Sequence, residues 1–135
     1  MHALVDPLVV RSSWTFQQPV KAGSAAQALE AWLASIAACC PSPAGHVIGH
    51  IKACASLPAG GCIQGNVTST RQPPHLELHE PAGTPLTRLD VTLNVLVVGL
   101  DREAAWRSAR AVLDDVAARC GFTHSTSMLQ SQGEH

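Results

Sequence analysis

The stretch Leu86-Thr87-Arg88-Leu89-Asp90-Val91-Thr92-Leu93-Asn94-Val95-Leu96-Val97-Val98-Gly99-Leu100 carries the strongest strand signal in the chain. Side chains on a strand point alternately to opposite faces, so residues two apart share a face. Leu89, Val91, Leu93, Val95 and Val97 fall on one face; Arg88, Asp90, Thr92 and Asn94 fall on the other. Alternation over so long a run predicts a strand with one side in a core and one side toward water.

Outward toward the C-terminus, Asp101 has the chemistry of a helix N-cap, because its carboxylate accepts from an orphan backbone N–H of the first turn. Ala105, Ala109, Val112, Leu113, Val116, Ala117 and Cys120 then repeat at helical spacing, and Gly121 supplies a left-handed C-cap. Trp106 lies at the border of that stripe and is expected to cover the edge of the core. Residues 123–135 are polar and read as a tail or a short edge strand, leaving residues 1–122 as a single α+β domain.

Outward toward the N-terminus, the short run His75–His79 is fenced by Pro73-Pro74 and by the loop from Pro81 to Pro85. Before it, Gly45 to Cys54 and Cys62 to Thr70 are β-capable runs on either side of Leu57-Pro58-Ala59-Gly60-Gly61, which predicts a hairpin. Ser24 to Gln27 has the form of a capping box. Ala25, Leu29, Trp32, Leu33, Ile36 and Cys40 continue from it as one buried helical face, stopped by Pro41 and Pro43. Leu8 to Val20, with Trp14 and Phe16, reads as a first strand.

The order strand, helix, hairpin, short strand, long strand, helix predicts an α+β two-layer sandwich. An antiparallel sheet would carry two helices on one face, in a ferredoxin-like arrangement. A hot-dog arrangement, with a sheet wrapped round one long helix, is the alternative, and a stable second helix argues against it. The parity of the long strand extends to its neighbours. Ile51, Ala53, Ile63, Gly65, Val67, Leu76 and Leu78 belong with its apolar face, and Gly49 and Gly65 are expected to leave room for Trp32 or Trp106. His46, His50, Lys52, Gln64, Asn66, His75, Glu77 and His79 belong with its polar face.

That polar face holds the candidate chemistry. His46, His50, Lys52, Arg88 and Asp90 are the ligand-binding candidates. A histidine beside a carboxylate suits acid–base work, and a guanidinium pairs an anionic substrate by two bonds. His75-x-Glu77-x-His79 is the candidate for a divalent metal, since imidazole and carboxylate are ligands zinc or iron takes. Along a strand, His75 and His79 stand roughly 13 Å apart at Cα, so each pairs with Glu77 rather than with the other. The plain alternatives are solvated edge-strand residues for the metal set and a cross-strand ion pair for Arg88 and Asp90.

Composition narrows the partners. The 135 residues make one ordinary domain, 46% hydrophobic and only 14% charged, and so neutral a surface suits a homo-oligomer. A net charge of −1 supplies no field for a polyanion, and the arginines between 102 and 119 are offset by Asp101, Glu103, Asp114 and Asp115, which argues against nucleic acid. No run approaches the ~20 apolar residues that span a bilayer, and the first residues lack a basic signal-peptide start, so neither membrane nor export is expected. The expected location is cytoplasmic, with the five cysteines as reduced thiols, Cys40 and Cys120 packing as small hydrophobes. No CxxC, GxSxG, P-loop, HExxH or Rossmann fingerprint is present, so the sequence does not decide between enzyme and binder. Three readings follow. One is a homo-oligomeric binding or accessory protein that takes a small-molecule ligand on the polar face. The others are a metal-dependent or His/Asp acid–base enzyme on that same face, and a structural protein-interaction module.

Overall fold

The long alternating run forms one of the two middle strands of a six-stranded antiparallel sheet, in a computed structural model that describes residues 7–39, 49–69, 72–80, 83, 85–97, 99 and 101–129. Along the chain the elements are β1 (Leu8–Val20), α1 (Ala22–Cys39), β2 (Gly49–Ser56), β3 (Cys62–Val67), β4 (His75–His79), β5 (Leu86–Val97), α2 (Arg102–Cys120) and β6 (Phe122–Met128). The sheet order is β4-β3-β2-β5-β1-β6. Because β1 and β2 both run antiparallel to β5 between them, they are parallel to each other and need the crossover that α1 provides. The same logic applies to β5 and β6, which flank β1 and are joined through α2.

Both helices lie on the apolar side of the sheet and touch one another, α1 over β2, β3 and β4, and α2 over β1 and β6. Trp32 on α1 donates its indole N–H to the Ala109 carbonyl of α2 at 3.0 Å, which satisfies a polar atom that burial would otherwise leave unpaired. Four of the five aromatic residues meet at one point of the core. Trp14 stacks on Phe122 at 4.2 Å and receives the edges of Trp32 at 5.9 Å and Phe16 at 6.5 Å. The alternation read from the sequence holds on every strand from β2 to β5. Ile51, Ala53, Ile63, Val67, Leu89, Val91, Leu93 and Val95 are buried, while Lys52, Gln64, Glu77, Arg88, Asp90 and Asn94 face outward. Leu78 keeps the right parity but is 37% exposed, because β4 is an edge strand that the helices only partly cover.

Several local expectations are corrected. Helix α1 starts at Ala22, so Ser24 sits inside the first turn rather than at a cap, and the N–H groups of Ser24 and Ala25 both donate to Lys21 O. The chain turns into the helix directly after β1 because that lets Ala22 and Ala25 both bury. A Cβ on Gly65 would come within 2.5 Å of Leu33 Cδ1 and 3.2 Å of Leu76 Cδ1, so the space it leaves is filled by leucine and not by tryptophan. Gly49 is a backbone requirement instead: its φ of 123° is one that L side chains rarely adopt. Cys120 is exposed at the end of α2, outside the apolar stripe it was assigned to. Cys39 is also exposed; Cys40 and His46 lie outside the described residues.

The second helix follows its sequence signals. Asp101 Oδ1 accepts from Ala104 N–H at 3.2 Å, and Gly121, at φ 77°, donates its N–H to Ala117 O. Residues 122–128 are strand β6, paired along its length with β1 from Val10↔Met128 to Phe16↔Phe122. No helix among the described residues is long and apolar enough to cross a membrane.

Candidate functional site

Register arranges the open face of the sheet into rows that run across the strands. One row reads His75, Asn66, Lys52 and Asn94 from β4 to β5, and the next reads Glu77, Gln64, Cys54 and Thr92. Neighbours in a row stand about 4.8 Å apart, the strand spacing. Between these two rows opens a depression of about 420 Å³ lined by residues of both. Lys52 stands in it with a carboxamide on each side, Asn66 from β3 and Asn94 from β5.

The groups on this face divide sharply by whether the protein already satisfies them. Glu77 accepts from His75 Nε2 at 3.1 Å and from His79 Nε2 at 3.3 Å, one imidazole on each carboxylate oxygen. Those hydrogen bonds, that of His75 first, hold the Glu77 carboxyl below its ordinary value. Arg88 pairs with Asp90 at 3.6 Å, and Ser13 Oγ donates to the same carboxylate at 2.8 Å. By contrast, the side chains of Lys52, Gln64, Asn66 and Asn94 make no hydrogen bond or ion pair among the described residues. Asn66 Oδ1 is buried and unpartnered, leaving its Nδ2 as the solvent-accessible end of the carboxamide.

Of the residues singled out from sequence, the depression therefore gathers Lys52, His75 and Glu77. His50 is half-buried one row away, opposite Leu96, and Arg88 and Asp90 form their own pair toward the other end of β5. His79 reaches Glu77 but does not line the depression. Among the described residues, no group of three or more His, Cys, Asp or Glu side chains is assembled to hold a metal ion.

A second polar constellation lies on the helix side, where sequence reasoning assigned none. Trp14 Nε1–H donates to Ser12 Oγ at 2.8 Å, and Ser12 Oγ meets Thr126 Oγ1 at 2.6 Å. Thr126 Oγ1 is 2.7 Å from His124 Nδ1, and His124 Nε2 is 2.6 Å from Asp114 Oδ1. Indole is a donor only and carboxylate an acceptor only, so with a neutral imidazole the chain runs one way. Trp14 donates to Ser12, Ser12 to Thr126, Thr126 to His124, and His124 to Asp114. The His124 side chain is 14% exposed, and Ser12 is the buried polar residue of the described core. This relay ties β1, β6 and α2 together. Its signal was present in the sequence, since Ser12 occupies the phase of Val10 and Trp14, where an apolar residue is the rule. Missing among the candidates on the open face were Asn66, Asn94 and Gln64, uncharged residues that only pairing geometry distinguishes from an ordinary solvated surface.

Comparison of the chain with family models, with curated proteins and with solved structures finds no match.

Proposed function

We propose that this protein is a small binding or accessory protein that receives a small polar molecule in the depression between β2, β3, β4 and β5. One observation carries the reading: Lys52, Asn66, Asn94 and Gln64 line that depression with no partner among the described residues, while Glu77 beside them is held by two histidines. A buried carboxamide end left unpaired costs about 1–3 kcal/mol, and such groups in native proteins ask for an explanation. Convergent polar groups around a concavity are the ordinary form of a ligand site. The layout β6-β1-β5-β2, with its two helical crossovers, supports a ferredoxin-like reading in which β3 and β4 extend the sheet. Two helices side by side favour that reading over a hot-dog one. Such folds host unrelated functions, so the argument for binding rests on the site and not on the architecture.

The test is a thermal-shift screen of small polar metabolites against the intact chain and against Lys52→Met and Asn66→Ala variants. A ligand at a hundredfold excess over its Kd stabilises the folded state by about 2.7 kcal/mol. The expected result is a raised Tm in the parent protein that is lost in both variants. Hits that stabilise all three proteins alike would place the ligand elsewhere and sink the reading. We further propose that the protein works as a homo-oligomer, supported by its low content of charged residues and by β4 and β6, which among the described residues are the two edge strands of the sheet. Light scattering behind a sizing column decides this, a monomer mass at micromolar concentration counting against it.

A further inference from the structure

We infer that the molecule received in this depression is a small hydroxy acid, with one carboxylate and at least one hydroxyl group. The inference rests on the binding reading above and deepens it.

The argument begins with charge. Lys52 is the cation that lines the depression, and no carboxylate among the described residues pairs with it. An ammonium group is a point charge with three donors and no acceptor, so its natural partner is an anion. Asn66 and Asn94 stand directly opposite Lys52 on the strands to either side, about 4.8 Å away. The accessible Nδ2 of Asn66 is a further donor beside the ammonium, and it has no partner. A planar carboxylate offers two oxygens with about four acceptor sites, enough to take the lysine and a flanking carboxamide together.

Other anions fit less well. A phosphate dianion would meet one lysine only, with the ionised Glu77 lining the same depression. It would also lack the two elements that commonly hold phosphate, an arginine fork and a helix N-terminus. Arg88 is engaged with Asp90, Arg11 stands beyond Thr92 on β1 and does not line the depression, and both helices lie on the opposite face of the sheet. An amine has Glu77 as its natural partner, and both oxygens of that carboxylate already accept from histidines. Of the remaining groups, Gln64 faces Glu77 and Cys54 in its row, so its carboxamide oxygen lacks a strong donor opposite it, and neither it nor the Thr92 hydroxyl has a hydrogen-bond partner among the described residues. A hydroxyl on the ligand supplies that donor, whereas a simple fatty acid would lay its apolar end against them and leave them unpaired. At about 420 Å³ the depression is near the lower end for small-molecule sites, which suits a ligand of a few carbons.

The experiment is a titration of the full ¹⁵N-labelled chain, followed by ¹H–¹⁵N correlation spectra, with three probes used separately: L-lactate, inorganic phosphate and ethanolamine. L-Lactate is expected to shift the side-chain carboxamide signals of Asn66 and Asn94 and the backbone amide of Lys52, saturably. Lys52→Met, an exposed substitution, should weaken that binding about tenfold, the scale of one charge-assisted hydrogen bond. Arg88→Met, outside the depression, should leave it unchanged. If phosphate or ethanolamine perturbs these residues in preference to lactate, the hydroxy-acid assignment is overturned while the binding site stands. If none of the three probes perturbs them, the inference fails. If hits from the thermal-shift screen also bypass the depression, the binding reading falls with it.

Discussion

Ser12 and Thr126 show what one hydroxyl does when apolar surroundings leave it few alternatives. Ser12→Ala removes the acceptor of the Trp14 indole N–H at a site only 3% exposed, and is expected to cost about 1–3 kcal/mol in urea unfolding. Thr126→Val breaks the same relay one bond further on and should cost a similar amount. The double variant should lose less than the sum of the two, because both singles interrupt one chain of bonds; strict additivity would show that the relay does not act as a unit. Glu77 gives a different prediction because it is solvent-exposed. Its folded pKa is depressed by the two histidines, so the associated stability is present above the unfolded value and is lost as pH falls through the lower folded value. A ¹³C titration of its carboxyl should therefore find a midpoint below that of an ordinary glutamate, returning upward in His75→Ala/His79→Ala. The pairing His75–Glu77–His79 was legible in the sequence as an i, i+2, i+4 set on one strand face. What the set does was not, because whether two imidazoles turn toward a carboxylate or toward an ion depends on side-chain torsions that spacing does not determine.

Elements were legible where their ends carry chemistry. Asp101 and Gly121 bracket α2 as their side-chain and backbone properties require, since one accepts from an orphan N–H and the other tolerates a left-handed φ. Asp101→Ala is expected to cost about 1 kcal/mol, measurable as a lower urea midpoint at unchanged slope. The start of α1 was misread for an equally physical reason. A serine with a glutamine three residues on resembles a cap, but the burial of Ala22 draws the helix back to the end of β1. Gly65 makes a related point. Parity placed it correctly under the helices, yet only the packing tells which side chain needs the space. Gly65→Val should destabilise by about 1–3 kcal/mol through overpacking against Leu33, read by urea unfolding; a neutral result would mean that Leu33 has room to turn aside.

At the scale of the whole molecule, sheet parity was the most informative feature of the sequence, because four segments had to agree on the same two faces. Strand order was not available in that way, since pairing between β1 and β6 joins segments at opposite ends of the described chain and leaves no local trace. Phe122→Ala should confirm how much depends on that junction. It removes the ring stacked on Trp14 and is expected to cost about 3–5 kcal/mol, a large share of the 5–15 kcal/mol that ordinarily separates folded from unfolded states. A chain ended after Gly121 should lose its dispersed amide spectrum altogether, and a well-dispersed spectrum from it would contradict the junction's importance. The same topology sets a timetable for biosynthesis. During translation β1 leaves the ribosome about 110 residues ahead of the strand it stacks against, a wait of roughly ten seconds at ordinary elongation rates. Until β5 is made, Leu8, Val10, Trp14 and Phe16, the buried side chains of β1, have neither neighbouring strand to pack beside, and β6 follows last. Co-expression of a chaperone that holds extended apolar segments is therefore expected to raise the folded yield, and an unchanged yield would count against this timetable.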